Sequence, residues 1–177
     1  MTNEDLEPDT KDWTWVLDRP CPDCGFDASA IHPTDVAERL RHDAADWPAR
    51  LARRGATDRP RPGIWSVLEY GCHVRDVHRI FDRRVRLMLN EEEPLFPNWD
   101  QDETAVADDY AAQHPATVAA ELVAAADAVA HTYATVPDDA WARRGLRSNG
   151  SEFTVASIAV YHLHDVVHHS WDVTPAR

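Results

Sequence analysis

The stretch between Val67 and Met88 constrains the fold most, because its apolar side chains recur at the spacing of one helix face. Successive apolar residues follow at intervals of 3, 4, 3, 4 and 7, as on a helix with one buried stripe. Ser66 precedes the stretch, and Glu69 stands three residues after Ser66, which is the spacing of a capping box. The pattern therefore predicts a long amphipathic helix that runs to about Leu89.

Three other long segments and one short segment also have helical patterns. The alanine-rich segment 115–136 begins with proline, which is favoured in the first turn of a helix. No alternation of polar and apolar residues persists, as a half-buried strand would require. The predicted helices cover 34–51, 66–89, 103–112, 115–136 and 154–172, with Pro48 as a candidate kink. We therefore predict an all-α fold in which the four long helices form a four-helix bundle.

The first 32 residues differ in character from the rest of the chain. They are polar and punctuated by prolines, so they are expected to form loops rather than a helix. We predict an irregular N-terminal arm over 1–32 and a single helical domain over 33–177.

Charge and hydropathy exclude several classes of partner. The 177 residues carry 18 Lys and Arg against 31 Asp and Glu, a net charge of −13, whereas nucleic acids and anionic membranes are bound by basic surfaces. No apolar run has the length of a membrane span, and the acidic N-terminus is unlike a signal peptide. We expect a cytoplasmic protein with a small-molecule substrate, and a homodimer is compatible with the sequence.

Histidines cluster near the end of the chain. Four of the ten lie within residues 162–169, in the last predicted helix. Residues four apart lie about 40° apart on a helix, so two pairs could each bind a metal ion: His164 with His168, or Asp165 with His169. Their faces differ by about 100°, so only one pair can point at the bundle axis. Periodicity alone does not choose between the pairs.

A third ligand is expected from another helix, since a bundle core can combine side chains of facing helices in one metal site. His73 is the best candidate, because it borders the apolar face of the helix predicted at 66–89. Asp76 follows three residues later on the same side. Its carboxylate could orient an imidazole through the free ring N–H, or act as a base.

Two motifs carry a family resemblance. Segment 65–76 resembles the second-helix signature of the DinB/YfiT-like superfamily, roughly W-s-x-x-E-x-x-x-H-x-x-D, and segment 165–172 resembles its last-helix motif. The resemblance spans about residues 34–172. It implies a four-helix bundle with a long crossover that holds a divalent metal by three side chains, with open positions. Relatives include bacillithiol and mycothiol S-transferases, a mycothiol-dependent maleylpyruvate isomerase and the N-terminal domain of a sulfoxide synthase.

The resemblance also favours one of the two pairs in the last helix. Many relatives end the last motif with a His-His-Arg-Gly-Gln-like stretch, in which the second histidine and the residue four positions earlier are ligands. The stretch from His168 to Asp172 aligns with it. The resemblance therefore implies Asp165 and His169 as metal ligands beside His73, and the His164/His168 pair stays open as the alternative.

The implied activity follows from such a metal. An ion held by two imidazoles and one carboxylate keeps positive charge and open positions, and it lowers the pKa of a bound thiol or water. The prediction is a Zn, Ni or Fe enzyme that activates a low-molecular-weight thiol, such as mycothiol, for S-transfer or isomerisation. Arg143, Arg144 and Arg147 could grip the carboxylates of an anionic cosubstrate. The alternative is a non-catalytic metal-binding or stress-response protein.

A pair of cysteines in the predicted arm looks like half of a zinc ribbon or like a redox pair. The pair is Cys21 and Cys24, followed by glycine. A structural zinc needs two more ligands, and Cys72, inside the helix predicted at 66–89, is the only other cysteine. We therefore predict a structural turn, with metal ligation and redox chemistry as the alternatives.

Overall fold

The computed structural model describes residues 12–174. The predicted N-terminal arm is thus described from residue 12 onward, and its first eleven residues lie outside the described part. From residue 12 to residue 32 the arm contains short 3₁₀ turns at Thr14–Leu17 and Ala28–Ala30, and a third turn follows at Pro33–Asp35. All three turns pack against the last helix. The boundary at 32/33 stays a prediction.

The all-α prediction is confirmed for the main body of the fold. The helices are α1 (Val36–Ala44), α2 (Trp47–Leu51), α3 (Val67–Asn90), α4 (Gln101–Ala107), α5 (Pro115–Ala134) and α6 (Val155–Asp172). The first predicted helix is interrupted before Pro48, which lies in the first turn of α2. Proline fits there because the first N–H groups of a helix have no partner within the helix.

The predicted capping box starts α3. The Ser66 hydroxyl accepts a hydrogen bond from the Glu69 amide at 3.2 Å, and the Glu69 carboxylate accepts one from the Ser66 amide at 2.8 Å. A second such box, of Thr154 with Ser157, starts α6. Both helices that carry the predicted ligands therefore begin at fixed residues, which sets the rotation of each about its axis.

The order of helices around the bundle brings α3 next to α6. Helix α5 packs against α1 and α3, and α6 packs against the other sides of α1 and α3. The order around the bundle axis is thus α1, α5, α3, α6, so helices that follow one another in sequence are not always neighbours. This arrangement lets side chains of α3 and α6 meet although they are far apart in sequence.

A small sheet closes one end of the bundle, which the sequence did not predict. It consists of β1 (Leu95–Phe96), β2 (Arg144–Arg147) and β3 (Glu152–Thr154). The central strand β2 is parallel to β1 and antiparallel to β3. Strands of two to four residues are too short for alternation to be visible. The one available signal was Asn149-Gly150, a favoured hairpin turn, where Gly150 has a φ of +95°.

A buried pair of histidines joins α3 to α6 beside the core. His78 and His162 are each 0% exposed, and the His78 Nδ1 and His162 Nε2 atoms are 3.1 Å apart. The Tyr133 hydroxyl lies 3.2 Å from His162 Nδ1, and the Phe81 ring stacks on the His162 imidazole. Burial lowers the pKa of His78 to about 3 and holds that of His162 well below its ordinary value. Both side chains are therefore neutral at physiological pH.

We expect metal-free protein to lose stability in mild acid because of this pair. Protonation of His78 follows its ordinary pKa of 6.5 in the unfolded chain but a value of about 3 in the fold. The contribution of the neutral His78 ring to the free energy of unfolding is therefore complete above pH 6.5 and is lost as the pH falls below 6.5. Between pH 7.5 and pH 5.5 this contribution falls by about 1.4 kcal/mol. Urea unfolding at both pH values measures the loss. His78→Asn, which does not titrate, should reduce it by that amount; an unchanged pH dependence in this variant would contradict the assignment.

No helix within residues 12–174 is both long enough and apolar enough to cross a lipid bilayer.

Candidate metal centre

Three of the predicted ligands meet between α3 and α6. His73 projects from α3, and Asp165 and His169 project from successive turns of α6, with one ligand atom of each lying within 4.8 Å of the others. The Asp165 Oδ1 atom is 3.5 Å from His73 Nε2 and 3.6 Å from His169 Nε2. The two imidazole rings stand at 89° to each other with centroids 4.6 Å apart. The three atoms thus converge on one point.

The donor set fits a divalent ion. His73 is 0% exposed, and neither of its ring nitrogens has a hydrogen-bond partner among residues 12–174; nor has Asp165 Oδ1. Leaving such groups buried without partners costs about 1–3 kcal/mol each. In a tetrahedral zinc shell, ligand nitrogens and oxygens lie about 3.3 Å apart, close to the separations of Asp165 Oδ1 from the two imidazoles. A cation between them would satisfy the unpartnered atoms.

Protonation states also suit a cation. Burial lowers the pKa of His73, and the nearby His169 lowers it further, so the ring is neutral. Burial alone would raise the pKa of the Asp165 carboxyl, but the facing His73 and His169 hold it below its ordinary value. The His73 imidazole and the Asp165 carboxylate are therefore ready to ligate at neutral pH without first losing protons.

Asp172 orients one ligand from behind. Its Oδ2 atom lies 2.9 Å from Nδ1 of His169, on the side of the ring away from Asp165. A carboxylate in this position fixes the ring and raises the basicity of the opposite nitrogen. The same oxygen is 3.9 Å from Nε2 of His168. Sequence reasoning gave the orienting role to Asp76 and missed Asp172, although the i, i+3 spacing from His169 was a usable signal.

Aromatic rings and a cavity surround the three ligands. The Trp99 ring stacks on His73 at 5.2 Å, Trp65 lies 5.4 Å from the same imidazole, and Tyr70 lies 5.3 Å from His169. Beyond them opens a cavity of about 480 Å³, and Asp165 and His169 form part of its wall. Its polar lining includes Arg84, Asn98, Asp100, Gln101, Arg147 and Asn149. Trp65, Tyr70 and Trp99 also line this cavity, so a small molecule in it would lie against these rings beside the three ligands.

Asp76 lies elsewhere. Its carboxylate accepts two hydrogen bonds from Arg75, both at 2.9 Å, one from Arg79 at 3.2 Å and one from the Tyr110 hydroxyl at 2.7 Å. These contacts hold its pKa below the ordinary value despite burial. Within the described residues Asp76 does not line the cavity. The structure therefore gives it a role in joining α3 to Tyr110 rather than in orienting an imidazole.

The three arginines predicted to bind a cosubstrate lie in different surroundings. Arg147, on β2, lines the cavity and is 8% exposed. Arg143 donates to the carbonyls of Met88 and Glu91 at the end of α3, at 2.6 Å each. Arg144 is exposed and pairs with Glu93 and Glu152. The structure thus brings only Arg147 of the three to the cavity, because alternate residues of a strand point to opposite faces and Arg143 precedes the strand.

Comparison with known proteins identifies the family. The model of the DinB superfamily matches residues 37–172, most of the chain. The chain belongs to the DinB superfamily. Among solved structures it is similar to YfiT from Bacillus subtilis, with a TM-score of 0.62 and 21% identity, over 77% of this chain and 85% of YfiT. YfiT is described as a probable metal-dependent hydrolase with an unusual four-helix bundle topology. No curated protein matches the chain. The DinB fold predicted from the two motifs is therefore confirmed.

Proposed function

We propose that this DinB protein is a divalent-metal enzyme that activates a low-molecular-weight thiol for S-transfer or isomerisation. One observation carries the proposal: His73, Asp165 and His169 converge on one point at the wall of a cavity of about 480 Å³. Catalytic zinc sites use three protein ligands and leave a position open, whereas structural sites are closed by four. The description of YfiT as a probable metal-dependent hydrolase supports the metal dependence and leaves the thiol to be tested.

The side chains of this protein would divide the work. A divalent ion at the three ligands, when bound, lowers the pKa of a thiol or water so that a nucleophile is available at neutral pH. Asp172 holds the His169 ring in the ligating orientation. Trp65 and Trp99 cover His73, which keeps bulk water from that side of the site and strengthens electrostatic contacts.

The cavity suits a polar thiol that places a carboxylate at the arginines, since Asp12, Asp100, Asp102 and Asp172 line other parts of the wall. Two arginines, Arg84 and Arg147, line it together with the amide side chains of Asn98, Gln101 and Asn149. Guanidinium groups bind carboxylates, and amides bind hydroxyl groups. A thiol on a hydroxyl-rich or carboxylate-bearing body, of the kind that DinB relatives use, matches this lining. The non-catalytic alternative predicts a saturated ligand set without an adjoining cavity, and the cavity at this site argues against it.

Turnover by the metal-loaded protein tests the proposal. Protein purified without a histidine tag would be loaded separately with Zn²⁺, Ni²⁺ and Fe²⁺ and given mycothiol, bacillithiol, glutathione or cysteine, with monochlorobimane as the fluorogenic electrophile. We expect conjugation that needs both metal and thiol, with one thiol strongly preferred. If the loaded protein neither binds nor conjugates any of the four thiols, the thiol proposal is wrong. Hydrolysis of p-nitrophenyl acetate at the same site without thiol would instead identify water as the nucleophile.

We expect Arg147 to set affinity for the anionic thiol. Arg147→Lys keeps the charge but loses the planar fork that binds a carboxylate by two parallel hydrogen bonds, so KM for the thiol should rise about tenfold, the equivalent of roughly 1.4 kcal/mol, with little change in kcat. The matched comparison is Arg144→Lys on the same strand, whose side chain pairs with Glu93 and Glu152. Equal KM values for the two variants would remove Arg147 from the binding site.

A further inference from the structure

A second group of potential ligands lies on the other face of α6. Sulfur and nitrogen atoms of Cys21, Cys24, His164 and His168 all lie within 4.8 Å of one another. The cysteines come from the N-terminal arm, and the histidines are the i, i+4 pair that lies about 100° around the helix from Asp165 and His169. The metal centre described above uses none of these four side chains.

One measured distance within this cluster matches a tetrahedral zinc shell, and the other ligand atoms lie within 4.8 Å of one another. The Cys21 Sγ atom lies 3.6 Å from His168 Nδ1. Zinc bonds of about 2.3 Å to sulfur and about 2.05 Å to nitrogen place the two atoms about 3.6 Å apart at the tetrahedral angle. The Nε2 atom of His164 is buried and has no hydrogen-bond partner within residues 12–174. An unpartnered buried nitrogen is a second, independent sign that a ligand completes the cluster.

The loop that carries the cysteines is shaped for this task. The Gly25 amide donates to the Cys21 carbonyl at 2.9 Å, and the Cys21 amide donates to the Phe26 carbonyl at 2.8 Å. Gly25 adopts a φ of +74°, a conformation that other residues rarely adopt. The resulting tight turn brings both sulfur atoms to the same side, and the Phe26 amide reaches the Cys24 sulfur. Burial raises the pKa of the Cys24 thiol to about 11 in spite of this N–H contact, and a bound zinc ion would deprotonate the thiol outright.

Aromatic rings and a carboxylate surround the cluster, which borders the cavity through Trp13, His164 and His168. The Trp13 ring lies 5.8 Å from His164 and 5.1 Å from His168, and the Phe26 ring lies 5.4 Å from His164. The His168 Nε2 atom faces Asp172 at 3.9 Å, on the ring edge away from Cys21. A carboxylate behind a ligating histidine is a usual feature of zinc sites. Two thiolates, two neutral imidazoles and Zn²⁺ sum to zero charge, which suits this partly buried position.

We propose that Cys21, Cys24, His164 and His168 form a structural zinc site that fastens the N-terminal arm to α6. The site is distinct from the one at His73, Asp165 and His169: it has four ligands rather than three, two of them soft thiolates that select zinc over harder ions. Sequence reasoning found both halves but sought the missing ligands of the cysteine pair among cysteines. The fold supplies histidines instead.

The proposal predicts two zinc ions per chain. Tag-free wild-type protein is saturated with Zn²⁺, freed of excess metal and analysed for zinc by inductively coupled plasma mass spectrometry. It should contain two zinc ions per chain, and the double variant C21S/C24S should contain one. His73→Leu should also contain one, because it removes the other site. Cys72→Ser, which replaces the third cysteine, should retain two. A C21S/C24S protein that keeps the wild-type count would overturn the proposal without affecting the His73 site.

Cobalt substitution tests the ligands in the wild-type chain, so the result does not depend on the folding of a variant. Co²⁺ bound by two thiolates gives intense sulfur-to-metal charge-transfer absorption in the near ultraviolet, whereas Co²⁺ at His73, Asp165 and His169 without added thiol does not. We expect this absorption in wild-type protein and in His73→Leu, and its loss in C21S/C24S. Its absence from wild-type protein, or a Cys21–Cys24 disulfide that forms in reduced, Zn²⁺-saturated protein on exposure to air, would contradict the proposal.

Discussion

His73→Leu should abolish metal binding at the three-ligand centre and reduce metal-dependent turnover by about a thousandfold or more. A catalytic ion contributes several kcal/mol to the transition state, and about 4 kcal/mol corresponds to that factor in rate. Leucine has a similar volume but no ligand atom, so the bundle keeps its packing. Metal content by mass spectrometry and kcat/KM with the preferred thiol measure the two effects.

The same substitution should not weaken the fold of the metal-free protein. Within residues 12–174 neither ring nitrogen of the buried His73 makes a hydrogen bond, and Nε2 lies 3.5 Å from Asp165 Oδ1. Replacing such a group by an apolar one of similar size is neutral or stabilising. Urea unfolding in a chelator should therefore give His73→Leu at least the stability of wild-type protein. His42→Leu, at an exposed position of α1, is the matched control for turnover. Full activity in His73→Leu would exclude the three-ligand centre as the active site.

Asp172→Asn should weaken zinc binding at the three-ligand centre by about 10- to 100-fold, although Asp172 is not itself a ligand there. The substitution removes the charge that faces Nδ1 of His169 at 2.9 Å, so the ligating nitrogen becomes a weaker donor. Competition with a chromophoric chelator in the C21S/C24S background measures this site alone. Asp127→Asn controls for loss of an acidic group, since Asp127 is exposed on α5 and pairs with Arg41 at 3.2 Å, away from the three-ligand centre. Equal zinc affinities in the two variants would contradict the orienting role.

Much of the fold was predictable because local signals agreed with the tertiary structure. The apolar stripe of α3 and the Ser66/Glu69 capping box gave its start and its buried face, and the break before Pro48 followed from the chemistry of proline. The small sheet was not predictable from periodicity, since strands of two to four residues depend on pairing with distant segments. The packing of α3 beside α6 was implied only by the predicted ligand set, which joins His73 of one helix to Asp165 and His169 of the other.

The candidate site was predictable only where residues act through local spacing. The i, i+4 geometry proposed both pairs of α6, and the position of His73 on the buried face of α3 proposed the third ligand. The sequence did not predict the roles of residues that contact other helices, strands or loops, because local sequence does not determine the direction of a strand or the path of a loop. Asp76 turned out to face Arg75 and Tyr110, and Arg143 caps the end of α3.

Helix α6 presents ligand pairs on two faces about 100° apart, which is the angle between consecutive residues. When both sites hold their ions, the helix cannot rotate about its axis. A rotation by one residue, about 100°, would move all four side chains of α6 away from the two ions at once. A deletion or insertion of a single residue between Thr154 and His164 imposes such a turn. It should therefore release both ions together, whereas the same change in the exposed hairpin at Asn149-Gly150 should release neither. Two metal sites on different faces would thus fix the rotation of α6 about its own axis.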